Sequence, residues 1–280
     1  MLDLAQIIKN WKETHLYIAI FLFLAASFLA VSLGSQLNPD GILYFSYLRS
    51  AFFDQDILLV NEFNELSLLP LSRHVTTTGL EGNPVAIGTP ILMMPFYAGA
   101  FFADWFFGIA GTSLGGNGYQ GIYAYVFPFG SLFYGFLTAF MILKILQRNY
   151  HHAHAELSLL HIIAGTPFLF YLAVHYHVSH LCSAFSVTLF IYVFEKIRCD
   201  PLKANRYPPY FIVGAISGVA LLVRTQNGLF WIIPFCFLFF GSYFYSSLFL
   251  FNGKGKKVFM EFCRVWICFF LFALLGGFLG

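Results

Sequence analysis

The chain has 280 residues, of which 59% are hydrophobic, 20% aromatic and only 10% charged, with a formal net charge of +2. A soluble domain is about one-quarter charged, and no soluble globule hides this much apolar surface, so the composition excludes one and indicates a polytopic membrane protein. The basic residues lie in loops between apolar runs, a pattern of orientation signals that argues against nucleic-acid binding.

The first apolar run, Leu16–Gly34, is too long for a signal-peptide core and lacks a small-x-small cleavage site, so it reads as a retained anchor. Six more runs follow: Gly121–Ile145, Leu157–Val174, Val178–Phe194, Pro209–Val223, Leu229–Phe251 and Val258–Gly280. Each approaches the ~20 residues a helix needs to cross the hydrocarbon, the short ones borrowing flanking residues. Another stretch, Ile87–Ala110, is ambiguous because it carries Pro90, Pro95, Asp104 and Gly108.

Lys and Arg fall into four clusters: Lys9 and Lys12; Lys144 and Arg148; Lys196, Arg198, Lys203 and Arg206; Lys254, Lys256 and Lys257. Cytoplasmic loops collect these residues, and all four clusters share that side only if Ile87–Ala110 does not cross. Its prolines and Asp104, costly in a lipid-exposed span, favour the same choice. The expected fold class is therefore all-α: a transmembrane helix bundle of seven spans plus an interfacial or re-entrant helix, with the N-terminus cytoplasmic. The whole chain, residues 1–280, reads as a single domain in which Ser35–Gln120 forms one outer loop. The last apolar run is still open at Gly280, which predicts a truncated chain. The five cysteines form no CxxC pair and suggest neither a disulfide framework nor a zinc site.

Chemistry facing outward must come from that loop and two short connections. The loop begins Asn38-Pro39-Asp40-Gly41, where Asn-Pro marks a turn and Pro39 suits the first position of a helix. In such a helix Asp40, Tyr44, Tyr47, Ala51 and Asp54 recur at four- and three-residue steps and share one acidic, aromatic face. Asp40 can act there as a general base for a hydroxyl, or it can serve only the helix N-terminus. Arg224-Thr225-Gln226-Asn227 follows the fifth span, where an outward Arg runs against the positive-inside bias. A lipid phosphate would account for it, since a guanidinium fork matches phosphate oxygens; so would snorkelling to headgroups. His175, His177 and His180 crowd the other connection at a spacing that leaves a divalent metal open, without the acid of a HExxH motif. Gly214, Ser217 and Gly218 form a small-residue stripe suited to close helix packing.

The order of these features resembles the GT-C superfamily of integral-membrane glycosyltransferases, in particular its protein O-mannosyltransferase and aminoarabinose transferase branch. The features are a basic N-terminus, one span, Pro39-Asp40, a tyrosine-rich helix and a second acid near Asp54–Asp56. Asn83 to Pro90 then precedes an aromatic helix, Ser179-His180 follows, and a small-residue span ends at Arg224. The resemblance implies inverting transfer of a hexosyl or pentosyl group from a polyprenyl-phosphate donor to a glycan, lipid or protein acceptor at the outer face of a bacterial plasma membrane. It implies Asp40 as the catalytic acid residue of the first outer loop and Arg224, with Gln226, as the grip on the donor phosphate. Tyr44, Tyr47, His177 and His180 would line the outer cavity. The paired acid expected beside Asp40 is replaced by Gly41, leaving Asp54 or Asp56 as the nearest substitutes. No cofactor is implied and no metal ligands are assigned. The rival readings are a transporter or flippase, which would carry charges at mid-membrane depth, and a non-catalytic scaffold.

Overall fold

The computed structural model describes residues 37–68, 74–77, 79, 81–198, 207–233 and 236, together with the helical positions Leu22, Ala26 and Leu29 of the first apolar run. The rest of that run, most of Leu229–Phe251 and all of Val258–Gly280 lie outside the described residues, as do the Lys9 and Lys254 clusters and, from the third cluster, Lys203 and Arg206. The described part is mostly helical, with one two-stranded ribbon in which β1 (His74–Val75) pairs antiparallel with β2 (Glu81–Gly82).

Helix α1 (Pro39–Arg49) starts where the sequence marks it. Asn38 is the cap, its Oδ1 accepting from Gly41 N at 2.7 Å, and Pro39 follows in the first turn, where a missing N–H costs nothing. After Arg49 the chain enters a π turn, Ser50–Asp54, closed by Gln55 in the left-handed region (φ 57°). The short α2 (Val60–Glu65) folds back, and Ile42, Leu43, Leu59, Phe63 and Leu68 form a small core between them.

Helix α3 (Gly88–Ile109) is continuous over 22 residues, with Pro95 inside it. Helix α4 (Val126–Asn149) is preceded by a 3₁₀ turn, Gly121–Tyr125. Helix α5 (His152–Gly165) and α6 (Phe168–Ala173) follow, then α7 (His180–Arg198) and α8 (Tyr207–Val223). Among the described residues three helices are long and apolar enough to cross a membrane: Gly88–Ile109, Gly121–Asn149 and His180–Ile197; Phe211–Val223 is a shorter apolar helix.

Two expectations change. Leu157–Val174 is not one spanning helix. The chain leaves the helix at Thr166 (φ −122°, ψ 168°), immediately before Pro167, and restarts at Phe168. A residue before proline is pushed out of the helical region, and proline offers no N–H to continue the ladder. The objection to Ile87–Ala110 as a span also falls. Pro95 does not break α3, and Asp104 is only 9% exposed, accepting from Leu114 N at 2.7 Å and from the Tyr123 hydroxyl at 3.2 Å. A carboxylate satisfied in this way places no charge in lipid, and Phe102, Trp105, Phe106 and Ile109 form the exposed side of the helix.

The packing fixes how these helices sit. Arg148 lies over the Tyr192 ring at 5.1 Å and Tyr134 packs on Phe185 at 4.6 Å, so α7 runs parallel to α4. Helix α8 returns antiparallel: Val213 packs with Phe190, Phe194 and Ile197, and Arg224 meets His180. Helix α3 is antiparallel to α4 and contacts only its first half. Tyr134 donates to Leu92 O at 2.6 Å, Phe96 meets Phe129 at 6.0 Å, and Tyr97 reaches Gly118 O at 3.0 Å. Its first residue, Gly88, lies against the backbone of Leu222 and Val223, where any Cβ would overlap main-chain atoms. From that crossing α3 runs on past the start of α4, away from the body of the α7–α8 pair.

Candidate functional site

The close approach of Gly88 to Val223 brings the chain entering α3 against the chain leaving α8. A cavity of about 610 Å³ opens beside this junction. One wall is Tyr44 and Tyr47 of α1, a second is Asn83–Ile87, and the third is Leu221–Gln226. The second wall is fastened to α1. Asn83 Nδ2 donates to Leu43 O at 2.6 Å, Asn83 Oδ1 accepts from Val85 N at 3.2 Å, and the Tyr47 hydroxyl reaches Val85 O at 3.4 Å.

Arg224 stands where α8 ends and a 3₁₀ turn, Thr225–Trp231, begins. Asn227 secures the turn. Its Nδ2 donates to Ala220 O at 2.9 Å, and its Oδ1 accepts from the Ser183 hydroxyl at 2.8 Å. The guanidinium is held by neutral groups: Nη1 donates to His180 Nδ1 at 2.7 Å. With the Gln226 amide oxygen turned toward it, Nε and Nη2 both donate to that oxygen at 3.3 Å. No carboxylate among the described residues lies within salt-bridge distance of Arg224, because the ion pairs found there both belong to Arg49.

Asp40 is exposed in the first turn of α1, and the capping bond that it could have made is made by Asn38. Its charge is therefore stabilised by the helix N-terminus without being used up by it. Asp40 and Arg224 act electrostatically on the same two groups, Tyr44 and His180. Burial pushes the Tyr44 phenol up, opposed by its hydrogen bond with Ser179; Asp40 adds to the rise and Arg224 reduces it. At neutral pH Tyr44 is thus a hydroxyl donor facing the cavity.

The remaining expected residues divide. Tyr44, Tyr47, Arg224 and Gln226 line the cavity. His180 reaches it through Arg224, its ring stacked on Tyr171 at 3.9 Å. His177 is buried under α1, its Cβ close to Gly41, and its Nδ1 has no hydrogen-bond partner. Burial, with His175 nearby, lowers its pKa to about 4, so the ring is neutral at pH 7. The histidines are not gathered with other ligating side chains: no group of three or more His, Cys, Asp or Glu residues suited to a metal occurs among the described residues.

Asp54 and Asp56 do not join Asp40. The π turn displaces Asp54 from the α1 face and sets it against Arg49, which also donates to Glu62 Oε1 at 3.1 Å. Asp56 Oδ1 accepts from the Ser50 hydroxyl at 2.9 Å and from Leu58 N at 3.0 Å, closing a local turn. Both acids are committed to the shape of the outer segment. Sequence reasoning overlooked Asn83 as the side chain that fixes the second wall, although Asn-Pro just before a helix is a turn signal.

No family model, curated protein or solved structure matches this chain.

Proposed function

We propose that this chain is a membrane glycosyltransferase that moves a sugar from a polyprenyl-phosphate donor to an acceptor hydroxyl at the outer face of a bacterial plasma membrane. The observation that carries the reading is Arg224. It is a guanidinium at the end of an apolar helix, on a cavity of about 610 Å³, oriented by neutral partners and, among the described residues, not neutralised by a carboxylate. A cation so placed is suited to a phosphate whose lipid tail runs down between the helices. The seven-span topology belongs to the same proposal, with the broken pair α5–α6 making the third crossing between the parallel helices α4 and α7. It is supported by α3 extending beyond the Arg224 end of α8, which suits a helix lying along the outer interface.

The reaction uses two charges. The acceptor oxygen attacks the anomeric carbon as the bond from that carbon to the phosphate oxygen breaks. The acceptor proton passes to the Asp40 carboxylate, and the electron pair leaves with the polyprenyl phosphate, whose charge Arg224 holds. The products are a glycoside and a polyprenyl phosphate. Tyr44 and Tyr47 line the cavity with Arg224 and offer ring faces to the sugar, while Asp40, which is not among the lining residues, reaches the acceptor from the exposed first turn of α1.

The test is transfer from a polyprenyl-phosphate sugar by the protein in lipid nanodiscs. Asp40→Asn is expected to lower kcat by about 10²–10⁴ with donor affinity retained, as for loss of a general base. Arg224→Ala is expected to weaken donor binding and transfer together. Full activity in both variants would refute the assignment. Donor-dependent movement of an unmodified lipid or sugar across the bilayer, with no glycoside formed, would favour a transporter.

A further inference from the structure

The hydrogen bonds around Arg224 reach further than a bare cation. A guanidinium has five N–H groups and no acceptor. Here one Nη1–H goes to His180 Nδ1, while Nε–H and one Nη2–H go to Gln226 Oε1. One N–H remains on each terminal nitrogen. Two such donors form the fork that meets two oxygens of one phosphate. Among the described residues the group is therefore fixed along two sides, and its third side has no hydrogen-bond partner.

We propose that His180 is the positioning residue that aims this fork at the phosphate of the lipid-linked donor and of the polyprenyl phosphate it leaves, acting through Arg224 and not on the sugar. The inference rests on the reading of Arg224 as the donor-phosphate grip. Four observations support it. His180 Nδ1 accepts at 2.7 Å, which requires a neutral ring carrying its proton on Nε2. The ring is stacked on Tyr171 at 3.9 Å and 22°, so it cannot swing freely. Tyr171 belongs to α6, which restarts at Phe168 after the break at Pro167 and lies beside the start of α7. Finally, the orienting partners are neutral. An aspartate in place of His180 would hold the guanidinium equally well, but it would pair with the charge that the phosphate needs.

This arrangement predicts a specific rescue pattern. Asparagine places a carbonyl oxygen near the position of imidazole Nδ1, whereas glutamine places its terminal atoms near Nε2. Phenylalanine keeps the stack on Tyr171 and removes the acceptor. The measurement is binding of a polyprenyl monophosphate to the full chain in nanodiscs, beside the kcat and KM of transfer. His180→Phe is expected to weaken binding by about tenfold, the scale of one charge-assisted hydrogen bond, and to raise KM for the donor more than it lowers kcat. His180→Asn is expected to recover most of that loss, and His180→Gln little of it. Thermal unfolding of the three variants separates the effect from misfolding: a variant that binds weakly at an unchanged midpoint has lost positioning and not the fold. Equal binding by His180→Phe and the parent would overturn the positioning role even if Arg224→Ala still abolished binding. Unchanged binding in Arg224→Ala would overturn the phosphate grip itself, and this inference with it. Equal loss in Asn, Gln and Phe variants would show that the ring fills space and positions nothing.

Discussion

Two arginines in this molecule are held in opposite ways. Arg49 pairs with Asp54 and Glu62, donates to Asn117 O at 3.3 Å, and lies over the Tyr119 ring at 4.5 Å. Arg224 is bonded to an imidazole and an amide. Carboxylates on both sides cancel the charge of Arg49 and make it a strut between α1, α2 and the loop before α4. Neutral acceptors fix the direction of Arg224 and leave its charge for something else. The acceptors around an arginine, more than its burial, separate a structural cation from one kept for a ligand.

Replacing each arginine should expose the contrast most strongly. Arg49→Ala leaves Glu62, which is fully buried, beside Asp54 with no counter-charge. Removing one partner of a buried pair costs about 3–5 kcal/mol, reduced here because Asp54 is partly exposed, so the thermal midpoint should fall by several degrees at least. Arg224→Ala strands no acid, and its midpoint should stay close to that of the parent protein. Differential scanning in nanodiscs reads both. Comparable losses in the two variants would remove the distinction.

Among the described residues the Arg49 cluster carries one acid more than it has cations. Glu62 Oε2 has no hydrogen-bond partner among them, and burial, with Asp54 close by, raises the Glu62 pKa to about 7 against the pull of Arg49. The folded protein therefore holds this proton more tightly than the unfolded chain does. The stabilising contribution is complete below the ordinary glutamate pKa and is lost as pH rises through about 7. Glu62→Gln keeps the shape and donates without titrating, so it should flatten the fall in thermal midpoint between about pH 5 and pH 8. A Glu62→Gln variant whose midpoint changes with pH as the parent's does would show that Glu62 ionises without penalty. His177, under α1, acts in the opposite sense: burial lowers its pKa, so the folded chain binds its proton less tightly and its contribution rises with pH up to the ordinary imidazole value.

The two regions were also unequally legible in the sequence. Around Arg224 the signals are local. Asn38-Pro39 announces a capped helix, which starts at Pro39, and its Tyr44 and Tyr47 share a wall as four- and three-residue spacing requires. Around Arg49 they are not. The π turn at Ser50–Asp54 has no residue signature, and a single added residue moves Asp54 from the Asp40 face to Arg49. Asp104 misled for a related reason: its partners, Leu114 and Tyr123, come from the next loop and the following 3₁₀ turn, so it looked like an unpaid charge in an apolar run. The break in Leu157–Val174 is different, since Pro167 marks it within an otherwise apolar run.

The smallest expected effect concerns the wall that ties the two regions together. Asn83 donates to Leu43 O at 2.6 Å and so holds the Asn83–Ile87 segment to α1, whose far end carries Arg49. Asn83→Ala removes one hydrogen bond whose acceptor can be rehydrated from the cavity, so the stability cost should be about 1 kcal/mol. Because the segment lines the cavity opposite Arg224, the looser wall should raise the acceptor KM by a few-fold while binding of polyprenyl monophosphate is kept. That split separates the wall from the phosphate fork. A parallel fall in phosphate binding would mean that Arg224 depends on the wall for its orientation, and that His180 and Gln226 alone do not fix it.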